Sequence, residues 1–260
     1  LVIGSQAMVN TGDAAPLARA VQALGIPVFL GGGARGLLGR NAPTQFRHAR
    51  GAALKEADVV IVAGFPFDFR MGYGRGINRQ ATLISANLSA SELKKNRKPD
   101  LTLQMHAGQF LIELAEATPA SARDQPQWAP WFKTLRAREA ARDAEIAEQA
   151  KVAGPYVNPL DIFLTLENMM ADDAILVVDG GDFVATAAYT LRPRAPLSWL
   201  DPGVFGTLGV GGGYALGAAA SAPGRELWLI WGDGSSGYSL AEFDSFVRHG
   251  FAPIAIIGND

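Results

Sequence analysis

ELWLIWGDGSSGYSLAEFDSFVRHGFAPIAIIGND, residues 226–260, is the stretch whose pattern decides the fold. Glu226 to Trp231 is a short apolar run of strand formers, the mark of a buried strand. The chain then turns through Gly232-Asp233-Gly234-Ser235. A helical pattern follows, expected to place Leu240, Phe243, Phe246 and Val247 on one apolar face. After Gly250, a second apolar strand from Pro253 to Ile257 ends at Gly258-Asn259-Asp260. The unit is strand, loop, helix, strand, with a carboxylate at the C-terminal end of each strand.

In open α/β sheets, ligands sit outside the carboxyl ends of the strands. Glycines at Gly232 and Gly234 let the backbone approach a phosphate, and the helix that follows offers free N–H groups and a positive dipole end. Asp233 and Asp260 supply the hard oxygens that Mg²⁺ prefers. Gly-Asp-Gly alone also describes an ordinary strand-to-helix turn. Its pairing with Asn259-Asp260, after the 24 residues 235–258, is more specific.

GDGS followed at this distance by Asn-Asp resembles the motif of the thiamine-diphosphate-dependent enzymes, among them acetolactate synthase, benzaldehyde lyase and the 2-hydroxyacyl-CoA lyases. The resemblance implies Asp233 and Asp260 as side-chain Mg²⁺ ligands, with Gly232, Gly234 and Ser235 at the diphosphate. Asp260 stands where Asn is commoner in the family, adding a negative charge beside a diphosphate.

The chain has 260 residues, 48% hydrophobic and 18% charged, with 30 glycines, so one large or two ordinary globular α/β domains are expected. Its net charge is −2 and it carries no long basic tract, which argues against a nucleic-acid partner. The absence of Cys excludes disulfides, thiolate metal sites and a cysteine nucleophile. His48, His106 and His249 are too dispersed for a local zinc motif. The best apolar run, Leu208 to Ala222, is interrupted by glycines and too short to span a bilayer. No signal peptide is visible, and a cytoplasmic location is expected. Leu1-Val2-Ile3 already reads as a core strand and the chain closes on another, so both ends are expected to continue in a longer protein.

Residues 1–118 alternate strand patterns (Leu1–Ile3, Pro27–Leu30, Val59–Ala63, Thr82–Ala86) with helical ones (Ala14–Leu24, stopped by Gly25, and Phe46–Ala57). This predicts a Rossmann-like parallel sheet covered on both faces. Gly31, Gly33 and Gly36 match G-x-G-x-x-G after a strand. However, no long helix follows and no acidic residue stands at the spacing that nicotinamide dinucleotide binding needs, so a plain glycine loop is the simpler reading. Gly64-Phe65-Pro66-Phe67-Asp68-Phe69-Arg70 resembles an acetolactate synthase segment. The family's middle domain, a six-stranded parallel sheet, binds FAD in that enzyme and an adenine nucleotide in some CoA-using relatives. Arg70 could therefore meet a cofactor phosphate, or it could simply pair with Asp68. The wording GGGARGLLGRN and DFRMGYG is most similar to the 2-hydroxyacyl-CoA lyase type.

Residues 119–157 read as a helical connector, with Trp131–Ala150 expected as a solvated, charge-rich helix. Residues 158–260 read as the first part of a diphosphate-binding α/β domain, truncated at its C-terminus. Asn158-Pro159 opens a helix to Met170. Ala174–Val178 is a buried strand running into Asp179-Gly180-Gly181-Asp182 and a helix from Phe183. The resemblance puts Gly181, Asp182 and Phe183 beside the cofactor tail. In the segment Gly206-Thr207-Leu208-Gly209, Leu208 matches the bulky residue that bends the cofactor in this family; as an isolated leucine it could equally be core. Tyr214–Ala220 reads as a small-residue helix packed tightly on the sheet.

The resemblance implies a thiamine-diphosphate- and Mg²⁺-dependent lyase or carboligase acting on a 2-keto acid, an aldehyde or a 2-hydroxyacyl-CoA, as a homodimer or homotetramer. The alternatives are a true FAD-containing acetolactate synthase and a non-catalytic nucleotide-binding or scaffold relative. The family's catalytic Glu lies on a separate pyrimidine-binding domain with no match here, so no catalytic acid or base is assigned to this chain.

Overall fold

The computed structural model describes residues 1–123 and 126–259. The chain divides into two compact units, Leu1–Arg142 and Asp143–Asp260.

The first unit is built on β1 (Val2–Ile3), β2 (Val28–Leu30), β3 (Gln45–Phe46), β4 (Val59–Ala63), β5 (Thr82–Asn87) and β6 (Leu101–Gln104). They form one parallel sheet in the order β3-β2-β1-β4-β5-β6. The chain moves outward from β1 in one direction and then from β4 in the other, so the order reverses between those two strands. Helices α1 (Ala14–Leu24) and α3 (Ala107–Ala117) bury Leu17, Val21 and Leu111 against one face; α2 (Arg50–Glu56) covers the other with Ala53 and Leu54. Gly25 ends α1 in the left-handed conformation, φ 67°, as its sequence position predicts. The helix expected from Phe46 begins only at Arg50, because Phe46 is buried in β3.

Helix α4 (Ala129–Ala150) forms as expected, but its first half is not simply solvated. Leu135 is 2% exposed in the core of the first unit, with Trp131 and Phe132 packed beside it. Glu139 accepts hydrogen bonds from the backbone N–H groups of Arg47 and His48, and Arg138 pairs with Glu56 at 2.7 Å.

In the second unit, α5 (Pro159–Met169) starts where Asn158 accepts from the Leu160 N–H, a cap with Pro at the first turn. It is followed by β7 (Ile175–Asp179), α6 (Asp182–Thr190), β8 (Trp199–Leu200), α7 (Gly211–Ser221) and β9 (Leu227–Gly232). Then come α8 (Asp233–Ser239), α9 (Glu242–His249) and β10 (Ile254–Gly258). The parallel sheet runs β10-β9-β7-β8, and its order reverses between β7 and β9. The single helix expected after the GDGS turn is two helices, broken around Leu240-Ala241. Of the predicted apolar face only Phe246 is buried; Leu240 is exposed and Val247 is 79% exposed, while Phe243 meets Trp231 edge-on. Helix α7 lies tight on the sheet through Gly211, Ala215 and Ala218, as its composition predicts.

Candidate functional site

The switch point of the second sheet gathers most of the sequence-predicted residues. Strand β7 ends at Asp179 and β9 ends at Gly232, and each runs directly into a helix. The two turns touch. A Cβ on Gly180 would lie 2.7 Å from the Gly232 nitrogen and 3.0 Å from the Ser235 hydroxyl, and Gly180 has φ 141°, so a side chain is excluded twice over. The buried Ser235 hydroxyl donates to the Asp179 carbonyl at 2.6 Å, locking one strand end to the other. Ser235 is therefore engaged within the protein.

Gly181 and Gly234 differ from Gly180. A Cβ at either would meet nothing within 4 Å. They line open space at the N-terminal ends of α6 and α8, where free N–H groups and the positive ends of the helix dipoles favour an anion. Asp182 and Asp233 are the first residues of these helices, both exposed. Phe183 is half-buried, tilted against Phe163 with ring centroids 4.7 Å apart, and packed so closely on Gly258 that a Cβ there would lie 2.5 Å from its ring. Gly258 stands level with Gly232 in the β9–β10 register, so the chain leaves β10 beside the residue that precedes Asp233. Asp260, the second predicted metal ligand, lies outside the described residues.

The segment after β8 forms a further wall. Asp201 ties its start, accepting from the Trp199 indole at 2.8 Å and from the Gly203 N–H at 2.9 Å. Gly206 closes a short 3₁₀ turn in the left-handed conformation. Leu208 is 47% exposed, which excludes the core reading. Beyond it, Gly209 has φ 91° and packs under the Tyr238 ring, where a Cβ would lie 2.5 Å from the Tyr238 Cβ. Sequence reasoning passed over Asp179 as a strand end, yet its carboxylate accepts from the N–H groups of Gly209 at 2.9 Å and Gly211 at 2.7 Å. The signal was present: an acid closes a wholly apolar buried strand ahead of Gly-Gly.

The switch point of the first sheet carries a second constellation. Phe65 follows β4 and fills the space at the ends of β1 and β2; a Cβ on Gly31 would lie 2.4 Å from its ring, and one on Gly4 2.8 Å from its Cβ. Gly32 makes room for Ser5, which accepts from the Gly33 N–H. Of the glycines that resembled a dinucleotide fingerprint, Gly31 serves the protein's own packing, and the Gly32–Ala34 turn opens no α-helix. Arg70 pairs with Asp68, its Nη2 at 2.7 Å, and lies 5.0 Å from the Phe65 ring. Arg50 lies 5.7 Å from the same ring and donates to the Arg70 carbonyl at 2.6 Å. Burial, and secondly the neighbouring Arg70 charge, lower the pKa of Arg50 below the usual guanidinium value.

Two open-faced glycines, two helix N-termini and an exposed carboxylate suit a diphosphate and its metal ion, and the half-exposed Leu208 suits an apolar ring system. The residues present fit thiamine diphosphate. Among the described residues, no helix is long and apolar enough to cross a membrane.

Comparison with known proteins accords with this geometry. Residues 1–114 match the model of the thiamine pyrophosphate enzyme central domain, and residues 179–260 that of the C-terminal TPP binding domain. The whole chain is 48% identical to 2-hydroxyacyl-CoA lyase 2 of Caenorhabditis elegans and 47% identical to that of Homo sapiens, covering 41% of each. Over 95% of its length it is 35% identical to the acetolactate synthase large subunit of Mycobacterium tuberculosis, covering 44% of that protein. The chain thus spans less than half the length of these relatives.

Proposed function

The chain belongs to the thiamine pyrophosphate enzyme family, and from that premise we propose that the intact protein is a thiamine-diphosphate- and Mg²⁺-dependent enzyme that makes or breaks a carbon–carbon bond beside a carbonyl. The observation that carries this reading is the pair of touching turns at the second switch point, with Gly181 and Gly234 open above them. Asp233 is the metal ligand of the GDGS turn, and Asp260 completes the side-chain set. The N–H groups at the starts of α6 and α8 bind the diphosphate. Leu208, half-exposed in the segment after β8, would support the apolar part of the cofactor. When bound, the cofactor would supply the carbanion-stabilising chemistry; this chain's residues would hold and orient it. The higher identity to the 2-hydroxyacyl-CoA lyases favours that substrate class over the keto acids of acetolactate synthase. Cleavage of a 2-hydroxyacyl-CoA between C1 and C2 then yields an aldehyde and formyl-CoA, with the hydroxyl proton released and the thioester carbon protonated. The exposed apolar residues Phe205, Leu208 and Tyr238 around the site support assembly as a homodimer or homotetramer.

Titration calorimetry of thiamine diphosphate against the intact protein, with and without Mg²⁺, tests the site. Mg²⁺-dependent binding is expected for the wild type and its loss for Asp233→Ala. Unchanged binding by the variant would reject the ligand assignment. Aldehyde release from a 2-hydroxyacyl-CoA tests the substrate class. Flavin absorbance in the purified intact protein would instead favour an acetolactate synthase with FAD in the first unit.

A further inference from the structure

We propose that Asp179 is a positioning residue that fixes the loop carrying Leu208 beside the thiamine diphosphate site. The proposal rests on the thiamine diphosphate reading above and deepens it. Asp179 is 0% exposed at the end of an otherwise apolar strand. A buried carboxylate is costly unless hydrogen bonds compensate it. Among the described residues its partners are N–H groups rather than a cation: Gly209 in the loop at 2.9 Å and Gly211, the first residue of α7, at 2.7 Å, each to Oδ2. Hydrogen bonds to an ionised acceptor are the strong kind.

The loop is seated as closely as its sequence permits. A Cβ on Gly211 would lie 2.2 Å from the Trp231 indole nitrogen and 2.9 Å from the Asp179 Cβ. Asp179 Oδ1 and Trp231 Nε1 are both buried without a partner, so two polar groups have been left unsatisfied around this contact. Such groups carry a penalty that a purely structural contact would shed by substitution with apolar residues. Through its carbonyl the same Asp179 also receives the Ser235 hydroxyl. One residue therefore links the GDGS turn, its own Gly-Gly turn and the loop that carries Leu208. With Gly209 and Gly211 fixed and Tyr238 packed on Gly209, Leu208 is left projecting, half-exposed.

The test combines Asp179→Asn and Leu208→Ala in the intact protein. It reads amide hydrogen exchange at single-residue resolution in the cofactor-free state, thiamine diphosphate affinity at saturating Mg²⁺, and kcat against KM. Asp179→Asn keeps the volume but removes the charge. It is expected to speed exchange at Gly209 and Gly211 roughly 10- to 100-fold, the loss expected for a hydrogen bond to a charged group. It should also weaken cofactor binding by about tenfold and lower kcat with little change in the KM of the acyl substrate. Leu208→Ala is expected to reproduce the losses in affinity and kcat while leaving exchange at both glycines unchanged. Unchanged exchange in Asp179→Asn overturns the anchoring. Faster exchange with unaltered cofactor affinity and kcat overturns the positioning role. Should Asp179→Asn not fold, the wild type decides: Gly209 and Gly211 amides exchanging as fast as those of Thr207 and Leu208 reject the proposal, and slower exchange supports it. A wild type that binds no thiamine diphosphate rejects the functional reading, and this role with it; a wild type that binds it while Asp179→Asn behaves like the wild type rejects only this role.

Discussion

Gly180 and Gly234 look alike in the sequence, each within a turn that joins a strand to a helix, but they are there for different reasons. Gly180 is required by the protein itself: its φ is 141° and a side chain would collide with Gly232. Gly180→Ala is expected to lower stability by more than about 1 kcal/mol, since Ala can neither adopt that conformation nor fit the gap. Gly234 has helical backbone and open space in front of it. Gly234→Ala should leave the folded state intact, or stabilise it by up to about 1 kcal/mol through the better helix propensity of Ala. It should nevertheless weaken thiamine diphosphate binding, because the new methyl group occupies the approach to the helix N-terminus. Thermal denaturation beside calorimetric titration of the two variants separates the roles. A Gly234→Ala protein with unaltered cofactor affinity would show that the diphosphate does not approach this turn. The residue types of the site were thus legible in the motif, whereas which glycine serves the fold and which the ligand depends on neighbours such as Gly232, far from Gly180 along the chain. Asp179 was illegible for the same reason: its partners, Gly209 and Gly211, are 30 and 32 residues distant.

Elements with a long apolar or periodic pattern were readable, and those without one were not. The Val59–Ala63 strand and the helix from Ala14 to Leu24 match the pattern directly. Strands β3 and β8 have two residues each, too few for a period, and β6 lies at the sheet edge with an exposed, weakly apolar sequence. The break between α8 and α9 escaped notice because apolar spacing runs straight through it. It lies against α7, where a Cβ on Gly212 would be 2.7 Å from Glu242 and 3.1 Å from Ser239. The approach to β8 is organised by side chains instead of pattern. Arg194 is buried and pairs with Glu167 of α5 at 2.7 Å; it also donates to the carbonyls of Arg192 and Glu167, while Glu167 accepts from the Arg192 N–H. Removing one partner strands the other's charge in the interior, which typically costs about 3–5 kcal/mol. Glu167→Ala is therefore expected to shift the urea midpoint strongly downward. A midpoint within error of the wild type would show that the pair contributes nothing to holding the β8 segment.

At the scale of the whole molecule, two parallel sheets each present one switch point, and each switch point has its own chemistry. The second offers helix N-termini and carboxylates; the first offers two guanidinium groups on one aromatic ring. The chain spans less than half the length of its relatives and carries no assigned acid or base. Residues 1–260 expressed alone with Mg²⁺ and thiamine diphosphate are therefore expected to show no turnover, and measurable turnover by that piece would reject the assignment of acid–base catalysis to another domain. At the first switch point the balance of charge makes the sharper prediction. Asp68 neutralises Arg70, whereas Arg50 donates to a neutral carbonyl beside that second guanidinium. Burial and the adjacent charge both disfavour its cation. A phosphate at this point would offset both costs, and a guanidinium binds phosphate with matched geometry. An adenine nucleotide such as ADP is thus expected to stabilise the intact protein by about 2.7 kcal/mol at a hundredfold excess over its Kd, read as a rise in Tm. Arg50→Gln should abolish the rise without loss of the thiamine diphosphate response, because Arg50 lies in the first unit and Asp233 in the second. A rise in Tm that survives in Arg50→Gln would place the nucleotide elsewhere. No rise in the wild type, together with flavin absorbance, would assign the first unit to FAD and move the protein toward the acetolactate synthases.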